Sequence, residues 1–338
     1  MHIHLLLRVI AYNELVGQHS MQNEPFSNLS PHAVRGVVVR AHGKFFAVQE
    51  YWSDKIHLAT PRGTLKRYRQ KSDVVVVGDR VWITPLDDDE ARIEFVEPRT
   101  SILQRPARGV PGGQQIILSN ADQSLFLFSV AQPEPHLRML DRFLILAEST
   151  GMPAIIGVNK IDLSSVDPAD PGREARRVFC DYEQSYPVFY LSAKQGFGIE
   201  PLSRALHGKL TVIAGPSGVG KSSLLNAIDP AALRQTRAIS GATQKGRHTT
   251  TSAEIIRVGP ETYLADTPGI RALAMAGVRP EELDKYFPEF EAYRGECFYA
   301  DCRHATEPGC PVREAVEIGS ISRRRYESYL ALRLGDAD

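Results

Sequence analysis

The chain has 338 residues, enough for about two to three domains. Its 40 lysines and arginines balance 40 aspartates and glutamates, so the net charge does not indicate a nucleic-acid partner, and any basic surface must be local. The chain has no apolar run of about 18 residues, which excludes a membrane-spanning helix. Arg8 interrupts the apolar N-terminus, and no small-residue cleavage site follows. A signal peptide is therefore not expected, and we predict a cytoplasmic protein without membrane association.

Residues 1–32 have no sustained hydrophobic periodicity and are predicted to form a disordered tail. Short β-rich runs fill residues 33–105, and no helical pattern interrupts them. Within this stretch, a Gly78-Asp79 turn between the runs at 74–77 and 81–84 indicates a hairpin. About five short strands in so small a region predict a β-barrel such as an OB-fold.

A basic segment lies between two of these β-rich runs, and one aromatic residue, Tyr68, is interspersed in it. On a barrel this composition suits a phosphate backbone and a stacked base, which predicts an RNA-binding surface. A solvated basic loop is an equally good interpretation. The candidate RNA-binding residues are Arg62, Lys66, Arg67, Arg69 and Lys71.

Prolines and glycines predict a linker at residues 106–117, and an α/β pattern follows over 118–278. Apolar runs at 124–130, 154–158, 188–191, 210–214 and 262–265 predict buried strands. A helix between the first two strands has an apolar face that includes Leu140, Phe143 and Leu144. This alternation predicts a doubly wound parallel sheet. Residues 279–338 are predicted to form a separate, mostly helical domain.

A complete phosphate-binding loop lies between an apolar strand and a predicted helix, which is the context this motif requires. Backbone N–H groups and the helix N-terminus would bind the phosphates there. We expect Lys221 to contact the β- and γ-phosphates and Ser222 to coordinate Mg²⁺. The loop and the first residues of its helix are Gly215, Pro216, Ser217, Gly218, Val219, Gly220, Lys221, Ser222 and Ser223.

Three further motifs each follow a predicted strand. Asp266-Thr-Pro-Gly269 can hold Mg²⁺ through water and bind the γ-phosphate through the Gly269 amide. Asp162 can accept hydrogen bonds from N1–H and the exocyclic amine of guanine, a pair that adenine lacks. Asn159 can tie this segment to the phosphate loop, and Lys160 can lie over the base. A backbone N–H near Ser192, Ala193 and Lys194 can bind guanine O6.

Together the motifs predict a guanine-nucleotide site, but their order differs from that of an ordinary GTPase. The base-recognition motifs at Asn159 and Ser192 precede the phosphate loop at Gly215. This order predicts a circularly permuted GTPase domain cut after the second switch.

The first switch is expected within residues 246–252, between the phosphate loop and Asp266. Thr250 is our candidate for completing the Mg²⁺ coordination in the GTP state. Ile270 occupies the position where many GTPases have a water-orienting glutamine, and an aliphatic side chain cannot orient water. His248 is the nearest candidate catalytic replacement, although it can also be an ordinary loop residue.

The spacing Cys297-x₄-Cys302-x-His304-x₅-Cys310 supplies three thiolates and one imidazole, which suit a closed tetrahedral Zn²⁺ site. Free thiols beside an incidental histidine are the alternative. A catalytic zinc is disfavoured because no coordination position remains open. Residues 322–330 predict a basic helix with Ser322 at its N-cap, and this helix can either contact RNA or form a solvated face.

The order of barrel, permuted nucleotide domain and cysteine cluster resembles the RsgA (YjeQ) family of bacterial GTPases, which depend on the small ribosomal subunit. The resemblance covers about residues 33–335. It implies an OB-fold, a permuted GTPase domain and a helical domain holding one structural Zn²⁺. It also implies GTP hydrolysis with Mg²⁺, stimulated by the 30S subunit during its late maturation. The partners would be the 30S subunit and its 16S rRNA, with the chain as a monomer, and the family pattern favours His248 as catalytic.

Two other functions compete with this interpretation. A P-loop kinase or another ATP enzyme would share the phosphate loop but not the guanine-selective Asp162. A nucleotide-gated RNA-binding protein acting on another structured RNA would not need to turn over GTP, whereas Lys221, Ser222 and Asp266 favour hydrolysis.

Overall fold

The computed structural model describes residues 29–63, 74–86, 89–106, 114–164, 170, 172–231, 253–266 and 278–335. The chain divides into two compact units. One contains the residues up to Asp122 together with His207–Val212 and Lys245–Pro268. The other contains Gln123–Leu206, Ile213–Gln244 and Gly269–Asp338. The predicted domain bounds at 33–105, 118–278 and 279–338 remain predictions.

The first unit contains a closed five-stranded barrel, as the β-rich pattern predicts. Its strands pair in the order β1-β2-β3-β5-β4, with β3 and β5 parallel. Alternate residues point inward, and Val38, Val48 and Ile83 are fully buried in the barrel interior. The strands are β1 (Val34–His42), β2 (Phe45–Glu50), β3 (Ile56–Pro61), β4 (Arg80–Pro85) and β5 (Glu90–Val96).

The predicted hairpin at Gly78 is wrong, because residues 74–77 do not form a strand. Asp79 turns this segment instead, since its carboxylate accepts a hydrogen bond from the Val76 N–H at 2.8 Å. Gly78 has a φ of 91°, and a Cβ atom there would lie 2.1 Å from the Ser119 carbonyl oxygen. Val75, Val76 and Val77 are buried, so their apolar character reflects burial beside a turn.

The predicted linker at 106–117 overlaps the ends of two paired strands, and its role as a linker between domains remains a prediction. Strands β6 (Ile102–Pro106) and β7 (Gln114–Ser119) are antiparallel. The prolines and glycines that suggested a linker are concentrated between the two strands. The apolar residues that follow, such as Leu118, belong to β7.

Strands β8–β13 form a six-stranded sheet in the order β10-β9-β8-β11-β13-β12. β8, β9 and β10 are parallel, and every residue of β8, β9 and β11 is buried, as expected for strands covered on both faces. β12 was not predicted and pairs antiparallel with β13. The strands are β8 (Gln123–Ser129), β9 (Ala154–Asn159), β10 (Val188–Tyr190), β11 (Leu210–Ala214), β12 (Glu254–Gly259) and β13 (Thr262–Asp266).

Within the described ranges, four α-helices accompany these strands. The predicted apolar face of α1 is confirmed, since Leu140, Phe143 and Leu144 are buried, and Asp141 is buried on the same side. The helices are α1 (Leu137–Thr150), α2 (Arg173–Phe179), α3 (Ile199–Leu206) and α4 (Lys221–Ile228). No helix among the described ranges has the length and apolar character needed to cross a membrane.

The C-terminal segment is helical, as predicted. It contains two 3₁₀ turns (Pro280–Tyr286 and Pro288–Tyr293) and helices α5 (Pro311–Glu317) and α6 (Arg323–Leu334). The rings of Phe287, Phe290 and Tyr329 pack with centroids 5.0–5.4 Å apart and form the centre of this segment's core. The Ser322 hydroxyl accepts a hydrogen bond from the Arg325 N–H at 3.4 Å, which confirms the predicted N-cap of α6.

Candidate functional site

The phosphate loop, residues 215–222, connects the buried strand β11 to helix α4. Two of its glycines are required by close approach of other atoms. A Cβ atom on Gly215 would lie 2.0 Å from the Leu127 carbonyl oxygen. Gly220 is left-handed, with a φ of 99°, and a Cβ atom there would lie 2.4 Å from Asn159 Nδ2. Both positions therefore require glycine, because any larger residue would clash there.

Lys221 is the first residue of α4, and its side chain folds back over the loop. Its Nζ donates hydrogen bonds to the carbonyl oxygens of Gly215 and Pro216, both at 3.0 Å. The next two residues, Ser222 and Ser223, are exposed in the first turn of the helix. A cation and a helix N-terminus thus converge on one loop, which is a suitable environment for phosphate oxygens.

Asn159, at the end of β9, connects three motifs. Its Nδ2 donates to the Val219 carbonyl oxygen of the phosphate loop at 2.9 Å. Its Oδ1 accepts from the Ala193 N–H at 3.0 Å. The tie to the phosphate loop expected from the sequence is present, and the side chain is almost completely buried. Asn159 therefore fixes the two predicted base-recognition segments and the phosphate loop relative to one another.

Asp162 lies in a 3₁₀ turn directly after β9 and is half-buried. One of its carboxylate oxygens accepts a hydrogen bond from the Ser192 hydroxyl at 2.6 Å. This bond orients the carboxylate. Lys160 precedes Asp162 in a left-handed conformation, and its Nζ donates to the Gln132 carbonyl oxygen. Lys194 is exposed.

Four further residues were predicted to act on the nucleotide or its Mg²⁺. Asp266 is exposed at the end of β13 and belongs to the first compact unit. His248, Thr250 and Gly269 lie outside the described residues. Their predicted roles remain predictions.

The cysteine-rich loop, residues 297–310, brings the four predicted metal ligands together. All four ligand atoms lie within 4.8 Å of one another. His304 Nδ1 lies 3.5 Å from the Cys297 sulfur and 3.3 Å from the Cys310 sulfur, and these two sulfurs are 3.9 Å apart. Tetrahedral zinc with its usual bond lengths would separate such atoms by about 3.6–3.8 Å. The residues present therefore fit this ion.

The electrostatics of the cluster also suit a cation. Burial raises the pKa values of the Cys297 and Cys302 thiols, and the neighbouring Cys310 thiol contributes to both increases. Burial lowers the pKa of His304, which favours the neutral imidazole that a metal needs. A divalent ion would stabilise the three thiolates together.

Hydrogen bonds to the backbone hold the cysteine-rich loop from outside the ligand set. The Tyr326 hydroxyl donates to the His304 carbonyl oxygen at 2.5 Å, and the Tyr329 hydroxyl donates to that of Arg303 at 2.9 Å. The Glu307 carboxylate accepts from the N–H groups of Arg303, Ala305 and Thr306. Burial opposes ionisation of Glu307, but these backbone hydrogen bonds outweigh it and lower its pKa to about 2.

The structure revises our view of the basic segments. Arg62 forms a salt bridge of 2.8 Å with Glu94, and the other four candidate RNA-binding residues lie outside the described ranges. In α6, Arg324 pairs with Asp181 at 2.9 Å. Arg325 is buried and pairs with Asp141 and Glu289. Arg325 is thus an internal ion-pair partner, and neither RNA contact nor a solvated face describes it. Arg324 is paired but partly exposed, so contact of this helix with RNA remains a prediction.

Sequence reasoning missed this buried network, although one signal was available. Asp141 lies between Leu140 and Phe143 on the face of α1 that periodicity assigns to the core. A carboxylate on an apolar face requires a buried partner. Arg325 is that partner.

A family model described as RsgA GTPase matches residues 96–276, more than half of the chain. The chain belongs to the RsgA GTPase family. Relatives in this family include proteins named "Small ribosomal subunit biogenesis GTPase RsgA". The one from Gemmatimonas aurantiaca is 41% identical over 302 residues, which are 88% of this chain and 96% of the relative. The one from Thermotoga maritima is 38% identical over 298 residues, which are 88% of this chain and 95% of the relative.

Solved structures agree with this membership of the RsgA GTPase family. The crystal structure of YjeQ from Thermotoga maritima has a TM-score of 0.69 and 36% identity, covering 90% of this chain and 98% of its own. YloQ, described as a circularly permuted GTPase, has a TM-score of 0.67 and 29% identity, covering 94% and 97%. The chain is therefore a GTP-hydrolysing enzyme with a permuted GTPase fold, a five-stranded barrel and a Cys₃His cluster that could hold a metal ion.

Proposed function

We propose that this GTPase binds the small ribosomal subunit, acts late in its maturation and hydrolyses GTP to GDP and phosphate when the subunit stimulates it. The 16S rRNA within the 30S subunit would supply the docking surface. The protein would act as a monomer in the cytoplasm, where its partner is assembled. Relatives named for small-subunit biogenesis support this role, because they match over nearly their whole length.

The main support for this proposal is the pair of hydrogen bonds made by the Asn159 side chain, on which guanine selection depends. Its two hydrogen bonds join the base-recognition segments to the phosphate loop, so base and phosphates would bind to one preorganised unit. The Ser192 hydroxyl orients Asp162 for the N1–H and exocyclic amine of guanine. Adenine has no matching pair of donors, so ATP would bind weakly.

Hydrolysis would require the residues around the phosphates. Lys221 would exchange its carbonyl partners for β- and γ-phosphate oxygens. Ser222 and Thr250 would coordinate Mg²⁺ directly and Asp266 through water, and the ion would neutralise charge on the phosphates. The Gly269 amide would bind the γ-phosphate. His248 would position the attacking water, because Ile270 cannot.

The Cys₃His cluster would hold one structural Zn²⁺ per chain. The distances among its ligand atoms and the burial of His304 and Cys310 support a closed site. Four protein ligands leave no position for substrate. The metal would therefore stabilise the C-terminal segment and take no part in the reaction.

The test is GTP turnover by the purified chain alone, with 30S subunits and with 50S subunits, at low salt. We expect slow turnover alone, strong stimulation by 30S and little by 50S. ATP at the same concentration should not be hydrolysed. Equal rates with both subunits, or no stimulation by 30S, would contradict the ribosomal role while leaving the GTPase itself intact.

A further inference from the structure

Strands β12 and β13 form a hairpin, Glu254–Asp266, that belongs to the same compact unit as the barrel. β12 is the edge strand of the six-stranded sheet, and barrel strand β1 contacts it. Covering an edge strand protects it from pairing with other chains, and apolar contacts would be enough for that purpose. The contacts between the hairpin and the barrel are instead partly ionic, which indicates a further role.

The first of these contacts is an ion pair at the start of the hairpin. Arg40 in β1 pairs with Glu254, the first residue of β12, although the two residues are 214 positions apart in the chain. The Arg40 side chain is 19% exposed and the Glu254 side chain is 39% exposed, so solvent screens their attraction only in part. The pair therefore ties one barrel strand to one end of the hairpin.

The register of the hairpin shows what this tie can act on. Glu254 lies directly opposite Asp266, the proposed Mg²⁺-binding residue, in the antiparallel ladder. Side chains in such a pair project from the same face, with Cβ atoms about 4.5–5.5 Å apart, and like charges there destabilise the pair. Arg40 offsets the charge of Glu254. The barrel thus supplies a cation that weakens the repulsion acting on the Asp266 carboxylate.

Arg257, further along β12, makes a second tie to the barrel. Its Nη1 donates to the Ser53 carbonyl oxygen and to the Asp54 carboxylate, both at 2.8 Å. Ser53 lies in the loop between β2 and β3, and the buried Gln49 amide donates to the same carbonyl oxygen at 2.8 Å. Arg257 therefore grips a loop that the barrel itself holds in place.

An aromatic contact lies beside these polar ties. The rings of Tyr51 in the barrel and Tyr263 in β13 pack edge-on, with centroids 6.4 Å apart. Three contacts of different chemistry thus fix the hairpin to the barrel. Stability alone does not explain a glutamate at position 254, because a neutral residue there would cover the edge strand without repelling Asp266.

We propose that Arg40 and Arg257 are positioning residues, through which docking of the barrel on the 30S subunit sets the position of Asp266 and thereby the rate of GTP hydrolysis. This inference rests on the proposed function, both for docking and for the role of Asp266. Coupling between distant sites is carried by contiguous packed and ion-paired groups. Here the route runs from the barrel through the Arg40–Glu254 pair to the opposite carboxylate, so the barrel regulates hydrolysis as well as docking.

The experiment measures phosphate release from GTP by the full chain with Mg²⁺, alone and over a series of 30S concentrations at low salt. Arg40→Ala should lower the maximal stimulated rate about two- to thirtyfold. The unstimulated rate and the 30S concentration for half-maximal stimulation should stay near their wild-type values. Arg257→Ala should also lower the maximal stimulated rate, because it removes the second tie.

Two further variants separate positioning from a general loss of stability. Arg40→Lys keeps the cation and should retain most of the stimulation. Adding Glu254→Gln to Arg40→Ala should recover part of the lost rate, because it removes the charge that repels Asp266. A double variant no faster than Arg40→Ala, or an equal fall of the stimulated and unstimulated rates, would overturn the proposal.

Lys55→Ala is the matched control, because it removes a barrel cation whose partner, Asp89, does not belong to the hairpin. It should be stimulated like the wild type, and melting curves check that every variant is folded. Wild-type stimulation of Arg40→Ala and Arg257→Ala would overturn this inference and leave the proposed function intact. No stimulation of the wild type by 30S would overturn both, and an unchanged rate in Asp266→Asn would remove the residue on which the ties act.

Discussion

The phosphate loop and the cysteine-rich loop are both short and surround a charged ligand site, but different forces hold them. The phosphate loop lies between the fully buried strand β11 and an eight-residue helix, and Asn159 ties it to the end of β9, which lies two strands away in the sheet. The cysteine-rich loop has regular helix only on its C-terminal side, where α5 has seven residues. Its own atoms converge on a point where a metal would sit. The first loop is therefore preorganised by the sheet, while we expect the second to depend on a bound ion in addition to its hydrogen bonds.

The largest expected effect is that of removing a metal ligand, which should disrupt the cysteine-rich loop and leave the phosphate loop nearly unchanged. Structural zinc contributes about 10–16 kcal/mol of apparent binding free energy, most of which appears as folding. Cys302→Ala should lose zinc and loosen the segment after Tyr293, while GDP binding stays near the wild-type value. Metal analysis and hydrogen exchange check this outcome, with Cys180→Ala, an exposed cysteine elsewhere, as the control. Substoichiometric zinc in never-chelated wild-type protein would contradict the assignment.

Loss of the candidate catalytic histidine should affect the rate alone. Water positioning or proton transfer contributes typically ~10²–10⁴-fold. His248→Ala should keep GTP affinity and 30S binding but lose most of the stimulated turnover. The measurement is phosphate release at saturating 30S and low salt, and His32→Ala, an exposed histidine, is the control. Equal stimulated rates for His248→Ala and wild type would remove His248 from the mechanism.

Replacing the base-recognition carboxylate, Asp162, should have a smaller effect on nucleotide affinity. The direction of this effect should depend on which base the nucleotide carries. Asp162→Asn replaces an acceptor with an NH₂ donor, which opposes the exocyclic amine of guanine. Losing the charge-assisted pair costs about 1.5–3 kcal/mol, or roughly 10–150-fold in affinity. Xanthine has a carbonyl at that position, so xanthosine triphosphate should bind the variant better than GTP. Wild-type GTP affinity in Asp162→Asn would show that another residue recognises the base.

The smallest effect should come from Glu307, which supports the cysteine-rich loop without binding metal. Glu307→Gln weakens three hydrogen bonds to backbone N–H groups and should speed zinc release to a chelator several-fold. The pKa of Glu307 is lowered to about 2 from an ordinary value of 4.5. Well above pH 4.5 the carboxylate is therefore fully ionised, and its stabilising effect on the loop no longer changes with pH. The difference between Glu307→Gln and wild type should therefore stay constant between pH 6 and 8. Glu296→Gln, whose side chain is exposed nearby, should release zinc at the wild-type rate.

Motifs in which local spacing sets the geometry could be predicted from the sequence. The phosphate loop requires a strand before it and a helix after it, and both are present. The cysteine spacing confines four ligands to one short loop, and they do converge. The five-stranded barrel could also be predicted, because several short β-rich runs fill that region and no helical pattern interrupts them.

Features that depend on distant partners could not be predicted in the same way. The buried valines before Gly78 indicate a strand, but the Asp79 carboxylate turns the backbone there. Arg325 looks like part of a basic surface because its partner, Asp141, is far away in the sequence. The pairing of Arg40 with Glu254 joins strands that are 214 residues apart, and no local pattern indicates that they meet.

The buried pairing of Arg325 with Asp141 and Glu289 makes the last helix inseparable from the nucleotide-binding half of its compact unit. A chain truncated before Ser322 would leave the Asp141 carboxylate in an apolar interior without its cation. Leaving a buried charge uncompensated costs about 3–5 kcal/mol, a large share of a typical domain's stability. The end of this protein that contains the Cys₃His cluster therefore cannot be deleted as an optional module without endangering the folding of the enzyme that precedes it.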